Sequence, residues 1–255
     1  MSDTGKKGFT LVELAIVLVI IGLIVGSVLG GKELIRAGEI RALIKQYNEF
    51  QTGVTTFNER FNGIPGDVNG ARFGLKGGCD NTSDGGNGNG ILESKGGGIN
   101  NHNGEIACFW ANLTTPGKEL ITGSYDGVST GTTDIISQNM PKMKLGGLGW
   151  GVYSHGSKNY FIAGVVGSQI GGAYNTAAAF TPMDAYNIDL KIDDGVPTSG
   201  AIQTRGAGTQ NPDMEALTDA GINPAVCNNT LPNPPEYQFT ASKTLCTLRF
   251  DMPGF

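Results

Sequence analysis

The stretch KKGFTLVEL, residues 6–14, opens the apolar segment that decides the fold. Between residues 9 and 31 the only charged side chain is that of Glu13. At 1.5 Å per residue this segment would form roughly 34 Å of helix, which is long enough to cross the hydrocarbon core of a bilayer. The sequence therefore predicts a membrane-spanning helix close to the N-terminus.

The flanks of this segment indicate its orientation. Lys6 and Lys7 precede it, so the positive-inside rule places residues 1–8 in the cytoplasm and the rest of the chain outside. A secretory signal has a shorter apolar region, about 7–15 residues, so cleavage beyond residue 28 is the less favoured alternative.

Glu13 stands out because a carboxylate among aliphatic side chains costs a few kcal/mol in lipid unless it is paired or neutralised. One interpretation is a functional carboxylate with a partner elsewhere. The other is a carboxylate close enough to the cytoplasmic interface to stay hydrated. The position of Glu13 alone leaves both open.

The residues themselves carry a resemblance. KKGFTLVEL followed by AIVLVIIGLI, residues 15–24, resembles the class III signal of type IV pilins and type II secretion pseudopilins. The resemblance implies cleavage between Gly8 and Phe9 by a prepilin peptidase, N-methylation of Phe9 and retention of the apolar helix. It also implies that the Glu13 carboxylate pairs with the N-terminal amine of a neighbouring subunit during assembly. Two opposite charges inside a helical bundle stabilise one register over others.

Beyond residue 31 the apolar residues recur at alternating spacings of three and four, as on one face of a helix. We predict a helix from about residue 9 to residue 61, with polar side chains such as Gln46 on the other face. Gly63 is expected to adopt the left-handed cap and Pro65 to prevent continuation. Packing of the helix on its own sheet is favoured over a coiled coil. The seam consists of Ile40, Leu43, Tyr47, Phe50, Val54, Phe57 and Phe61.

Residues 74–105 are rich in glycine, asparagine and aspartate, which predicts a long loop. Within it Asp84, Asn87 and Asn89 approach the ligand spacing of an EF-hand calcium loop, but one extra glycine breaks that spacing. A simple turn built on Asx side chains is the favoured interpretation, and a calcium site is the alternative. No other cofactor is expected.

The rest of the chain predicts an α+β head with an antiparallel sheet. Residues 105–113 predict an amphipathic helix in which Trp110 belongs to the core. Residues 150–154 and 159–166 predict an antiparallel hairpin. Thr181 and Pro182 predict a helix start, and residues 193–197 predict its stop. Between them Ile188, Leu190 and Ile192 alternate as in a strand, so the caps favour a helix over that alternative. Residues 64–67 and 185–200 also resemble stretches of pilin-like proteins.

The four cysteines, Cys79, Cys108, Cys227 and Cys246, all follow the predicted span, on the side where oxidation is permitted. Pairing Cys79 with Cys108 and Cys227 with Cys246 would close two local loops. The other two connectivities stay open. The resemblance favours a disulfide that pins a C-terminal surface loop, where contacts with partners would be expected.

Composition disfavours two classes of function. The formal net charge is −5 and the pI is about 5.0, so no nucleic-acid partner is expected. The chain has only two histidines, and no strained elbow motif surrounds the serines beside His155, namely Ser154 and Ser157. We therefore expect a protein without catalytic residues.

The predicted organisation is a cytoplasmic leader (residues 1–8), a transmembrane and filament-core helix (9–31), its amphipathic continuation (32–62) and a pilin-like head (63–255). The resemblance implies a structural subunit of a type IV pilus or a type II secretion pseudopilus. Its implied partners are copies of itself, related pilins, the prepilin peptidase and an assembly ATPase with its platform. Its implied location is the inner membrane with the head in the periplasm, and then a periplasmic or cell-surface filament. The alternatives are an adhesin-like minor pilin at a filament tip and, less favoured, a membrane-anchored secreted enzyme.

Overall fold

The structure is a computed structural model that describes residues 9–75, 86–94, 103–127, 136–165, 177–206, 227–229, 236–237, 239 and 246–254. The chain divides into two compact units, residues 1–41 and residues 42–255. The second unit is called the head below.

One long helix dominates the N-terminal part of the chain. Helix α1 spans Leu11–Phe61, as the apolar periodicity predicts. The prediction that Gly63 forms its left-handed cap is wrong, because Asn62 takes that conformation, with φ of 52°. Asparagine tolerates the left-handed region better than other non-glycine residues. Gly63 serves a different purpose, since a Cβ at this position would lie 2.4 Å from Val68 Cγ1.

Within the described residues, the head contains three further helices and six strands. Helices α2 (Gly70–Phe73) and α3 (Gly104–Leu113) precede the hairpin of β1 (Gly149–His155) and β2 (Lys158–Val165). Helix α4 (Pro182–Ile192) and β3 (Ile202–Gly206) follow. The last strands are β4 (Asn228–Asn229), β5 (Glu236–Tyr237) and β6 (Cys246–Asp251).

The main sheet is antiparallel and has the order β1-β2-β6-β3. The predicted hairpin is present, and the predicted α4 begins with a capping box in which Thr181 and Asp184 exchange hydrogen bonds. The α+β class with an antiparallel sheet is confirmed. Strands β4 and β5 form a separate two-stranded sheet.

The core of the head lies between the sheet and the part of α1 that belongs to the head. Within this part, five seam residues are buried: Leu43, Tyr47, Phe50, Val54 and Phe57. The ring centroid of Phe50 lies 5.5 Å from that of Trp150 on β1, and the Tyr47 ring lies 4.9 Å from that of Phe250 on β6. The helix is therefore packed on its own sheet, as favoured over a coiled coil.

One polar residue of α1 contributes to this core. The apolar periodicity predicts that Gln46 lies on the polar face, but its side chain is buried. Its Oε1 accepts from Trp150 Nε1 at 2.9 Å, and its Nε2 donates to the Lys142 carbonyl at 2.9 Å. These bonds satisfy the buried indole and the amide together, which explains why a polar residue is tolerated there.

Helix α3 differs from its prediction in burial. The helix is present and Trp110 is in the core, but all ten of its residues are buried, so it has no solvent face. Even Glu105 is buried. A carboxyl group in such a place requires several hydrogen-bond donors around it.

Candidate functional site

The N-terminal part of α1 presents an apolar surface to its surroundings. Phe9 is 83% exposed, and the large aliphatic side chains described between residues 11 and 28 are all exposed. By length and composition, α1 qualifies as a membrane-spanning helix. Burying this much aliphatic surface requires lipid or neighbouring helices.

The start of α1 holds Glu13 in a defined position. Its Oε2 accepts hydrogen bonds from the Thr10 backbone N–H at 2.7 Å and from Thr10 Oγ1 at 2.8 Å. Thr10 Oγ1 in turn accepts from the Glu13 backbone N–H at 3.3 Å. This is a reciprocal capping box, which satisfies free N–H groups of the first helical turn.

The capping box places the Glu13 carboxylate at the helix end, beside Thr10, which directly follows Phe9. There it can meet a positive group that approaches the helix N-terminus. Sequence reasoning identified Glu13 but missed its local partner, although the Thr-x-x-Glu pattern of residues 10–13 was visible. Gly8, the predicted cleavage position, lies outside the described residues.

A second cluster of carboxyl groups lies inside the head. Asp67 follows the end of α1, and Glu105 lies in the first turn of α3. The Asp67 side chain accepts from the backbone N–H groups of Gly88 and Gly90, each at 2.7 Å. Together with Glu105 it holds the segment of residues 86–94, which we call the strapped loop.

Glu105 binds the strapped loop through three backbone N–H groups. Its Oε1 accepts from Gly86 at 3.0 Å and from Asn87 at 3.1 Å, and its Oε2 accepts from Glu93 at 2.9 Å. Burial is the main cause that raises the pKa of Glu105 to about 7, with the nearby Asp67 adding to it. Burial also raises the pKa of Asp67. These two carboxyl groups hold a loop in place.

The far side of the strapped loop is bound to the hairpin. Asn159 accepts from the Leu92 backbone N–H and donates to the Gly90 carbonyl, each at 2.8 Å. The buried Ser154 donates its hydroxyl to the Leu92 carbonyl at 2.7 Å. Ser154 thus has a structural partner in the strapped loop.

The predicted calcium ligands on this loop have protein partners. Asn87 Oδ1 accepts from the Asn89 N–H at 2.9 Å, and Asn89 Oδ1 accepts from the Ile91 N–H at 2.7 Å. Both side-chain amides donate to Glu93 Oε2. This is the arrangement of two successive Asx turns. Asp84, the third candidate, lies outside the described residues, and calcium binding stays a prediction.

A third cluster joins α4 to the C-terminal part of the chain. Tyr237 donates its hydroxyl to Asp189 Oδ2 at 2.7 Å. Burial raises the pKa of Asp189 to about 6 and also raises the pKa of Tyr237. Carboxylate oxygens of Asp189, Asp193 and Asp194 lie within 4.8 Å of one another, and each residue also accepts a hydrogen bond from the protein. Sequence reasoning missed this cluster, whose only local signal was the adjacent pair at 193–194.

One disulfide reinforces the same part of the head, and a further disulfide-bonded cysteine lies on α3. Cys227 and Cys246 are bonded, with their Cα atoms 5.1 Å apart. Cys108 is also disulfide-bonded. Cys79, its partner in the pairing considered first, lies outside the described residues. The C-terminal disulfide fixes the segment that carries Tyr237 to the start of β6.

Comparison with known proteins concerns the N-terminal segment. Residues 3–29 match the family model of the prokaryotic N-terminal methylation motif. The chain begins with a type IV pilin-like prepilin signal. The prepilin signal implies processing by a prepilin peptidase and assembly with pilus machinery in general. No curated protein and no solved structure matches the chain.

The prepilin signal and the exposed apolar surface of the first helix lie in the same part of the chain. The exposed aliphatic surface of α1 starts within the matched residues, and the capping box of Thr10 and Glu13 lies inside them. A prepilin signal on a long apolar helix, followed by an α+β head, is compatible with a membrane-anchored and then surface-exposed pilin.

Proposed function

We propose that this chain is a structural subunit of a type IV pilus or a type II secretion pseudopilus. A prepilin peptidase would cut between Gly8 and Phe9, and the new N-terminal Phe9 would be methylated. Before assembly, the processed subunit would remain anchored in the inner membrane with its head in the periplasm. An assembly ATPase with its membrane platform would then move it into the filament.

The observation that carries this proposal is the exposed apolar surface of α1 within a prepilin signal. Removing such a helix from lipid is favourable only when other apolar helices replace the lipid around it. A filament core made of neighbouring α1 helices provides that replacement.

Glu13 supplies the charge that selects the position of the next subunit in this scheme. Its carboxylate is held by Thr10 at the end of α1 and has room for a further donor, because one carboxylate accepts several hydrogen bonds. The N-terminal amine of a neighbouring Phe9 would be that donor. A charged pair in an apolar surrounding penalises any register that leaves one member unpaired.

We propose a structural rather than a catalytic role for the head. The buried carboxyl groups of Asp67 and Glu105 are bound to backbone N–H groups of the strapped loop. Such an arrangement supports a rigid surface.

The test compares Glu13→Gln with the wild type and with Glu33→Ala, which removes an exposed carboxylate elsewhere on α1. Glutamine keeps an oxygen that can accept from Thr10 but has no charge. We expect both variants to start at a methylated Phe9, as shown by mass spectrometry of the N-terminal peptide, and to remain in the membrane. Glu13→Gln should lower the yield of sheared filaments at least several-fold, and Glu33→Ala should not.

Two results would contradict the proposal. Filament yield that is unchanged in Glu13→Gln would remove the role of the charge. Wild-type protein that keeps its leader, or that starts near residue 31, would remove the filament pathway itself.

A further inference from the structure

The described part of the head has few large hydrophobic side chains on its surface, and they lie together. Met183, Leu190 and Phe239 are 49%, 52% and 49% exposed, respectively. Met183 and Leu190 are seven residues apart on α4, so they share one helix face. Scattered single hydrophobic residues are ordinary on a protein surface, but a contiguous group marks an interaction site.

Tyr186 joins these side chains into one surface. Its ring centroid lies 5.2 Å from that of Phe239. The side chains of Tyr186 and Leu190 converge over Gly195, where a Cβ would lie 3.2 Å from Tyr186 Cε2 and 3.3 Å from Leu190 Cδ1. We call the surface of Met183, Tyr186, Leu190 and Phe239 the α4 patch.

The α4 patch rests on a firm support. The ring centroid of Tyr237 lies 5.7 Å from that of Tyr186, and the Tyr237 hydroxyl is bonded to the buried Asp189. The Cys227–Cys246 disulfide closes the segment that carries Phe239. The patch is therefore formed before any partner arrives, which lowers the entropy lost on binding.

Acidic side chains border the α4 patch. Asp193 and Asp194 directly follow α4. Asp194 accepts from the Val196 N–H and from Ser199 Oγ, and no ion pair of Asp194 is present among the residues that the structure describes. Lys191 is the one basic residue of α4, so against the two aspartates this border is negative by one charge. The partner must be apolar and basic.

One surface of this chain has that character. Leu34, Gly38, Arg41 and Lys45 follow one another along α1 at spacings of four, three and four, so they lie on one helix face. All four are exposed, Leu34 by 77%. We call this face the basic strip. The ion pair described on this part of α1, Arg36 with Glu39, lies on another face of the helix and does not neutralise it.

The dimensions of the two surfaces match. At 1.5 Å per residue, the distance along α4 from Met183 to Leu190 is about 10 Å, and the basic strip extends over about 16 Å. Leu34 can therefore lie on the apolar centre of the patch while Arg41 and Lys45 reach its acidic border.

We propose that the α4 patch of one subunit docks on the basic strip of a second copy of this chain. The inference rests on the proposed function, because it describes how neighbouring subunits meet in the filament. Apolar contact of Leu34 with Tyr186 and Leu190 supplies affinity. The exposed charge pairs add little energy individually, but they select the register of the two surfaces.

The first test is disulfide cross-linking in filaments assembled by full-length chains in their bacterial host. Leu34→Cys combined with Leu190→Cys should give a ladder of covalent multimers after mild oxidation. The matched control combines Leu34→Cys with Glu119→Cys, an exposed position outside the patch. The control should remain monomeric.

The second test exchanges charges across the contact. Lys45→Glu and Asp194→Lys should each lower filament yield several-fold, and the double variant should recover at least half of the wild-type yield. Glu59→Lys, a charge reversal at another exposed position of α1, should leave the yield unchanged.

The outcomes separate this inference from the proposed function. Two results would overturn the docking and leave the filament role intact. One is that filaments of the Leu34→Cys and Leu190→Cys combination form without the specific cross-link. The other is that the filament yield of the double charge variant is no higher than that of the single variants. Correctly processed wild-type protein that forms no filaments would overturn both.

Discussion

Replacing Glu105 with glutamine should flatten the dependence of head stability on pH. In the folded head, burial raises the pKa of Glu105 from 4.5 to about 7. The folded state therefore holds a proton that the unfolded chain releases near its ordinary pKa. The stabilisation linked to this proton is complete below about pH 4.5 and is lost as the pH rises through about 7.

The size of the effect follows from the shift. A rise from 4.5 to about 7 corresponds to about 3 kcal/mol at 1.36 kcal/mol per pKa unit. Part of the charge is solvated when the strapped loop relaxes, so we expect wild-type head stability to fall by about 2 kcal/mol between pH 5 and pH 8.5 through this group.

The Glu105→Gln variant instead loses the same amount of stability at every pH. Glu105 Oε2 accepts from the Glu93 N–H, and a side-chain amide nitrogen in that place cannot accept it. Losing one buried acceptor costs about 1–3 kcal/mol at low pH. The stability difference between wild type and Glu105→Gln should therefore be largest at pH 5 and should shrink by about 2 kcal/mol at pH 8.5.

Urea unfolding of the full chain in mild detergent measures this difference, with tryptophan fluorescence as the signal. The two tryptophans, Trp110 and Trp150, are both buried in the head. Asp189 titrates in the same pH range, but both proteins contain it, so its contribution to the free energy of unfolding cancels in the difference. Glu59→Gln changes an exposed position, so its free energy of unfolding should depend on pH in the same way as that of the wild type. A difference between wild type and Glu105→Gln that stays constant with pH would refute the reasoning.

Two further predictions concern the strapped loop and its support. Gly66→Ala should destabilise the head by more than about 2 kcal/mol, because its Cβ would lie 2.2 Å from the Glu105 carbonyl oxygen. Gly117→Ala is the control in the same urea assay. Gly117 has a similar positive φ but no neighbouring atom near its Cβ position, so this variant reports the backbone strain alone. Calcium added to chelator-treated protein should leave the melting temperature unchanged if Asn87 and Asn89 form plain Asx turns. A calcium-dependent rise that Asn89→Ala abolishes would instead establish the metal site.

Local patterns predicted much of the fold. The alternation of apolar residues located α1, and Thr181 with Pro182 located the start of α4, because both signals lie within one or two helical turns. The turn residues between β1 and β2 identified the hairpin for the same reason. Each of these elements is encoded by neighbours in sequence.

Local sequence patterns could not predict contacts between residues that are far apart in the sequence. Asp67 and Glu105 meet only because the end of α1 and the start of α3 are brought together around the strapped loop. Strand β6 was missed because Arg249 interrupts its apolar pattern; the structure buries this guanidinium over the Tyr160 ring, 4.4 Å from the centroid. The α4 patch likewise depends on Phe239, which comes from another part of the chain.

The position of β6 has a consequence for the making of this protein. The strand ends at Asp251, close to the end of the chain, yet it lies between β2 and β3 and pairs with both. The sheet therefore stays open until β6 has been added, and a chain that lacks β6 exposes two unpaired strand edges. Strands of other molecules can pair with such edges, so the strand order makes any chain without β6 prone to aggregation.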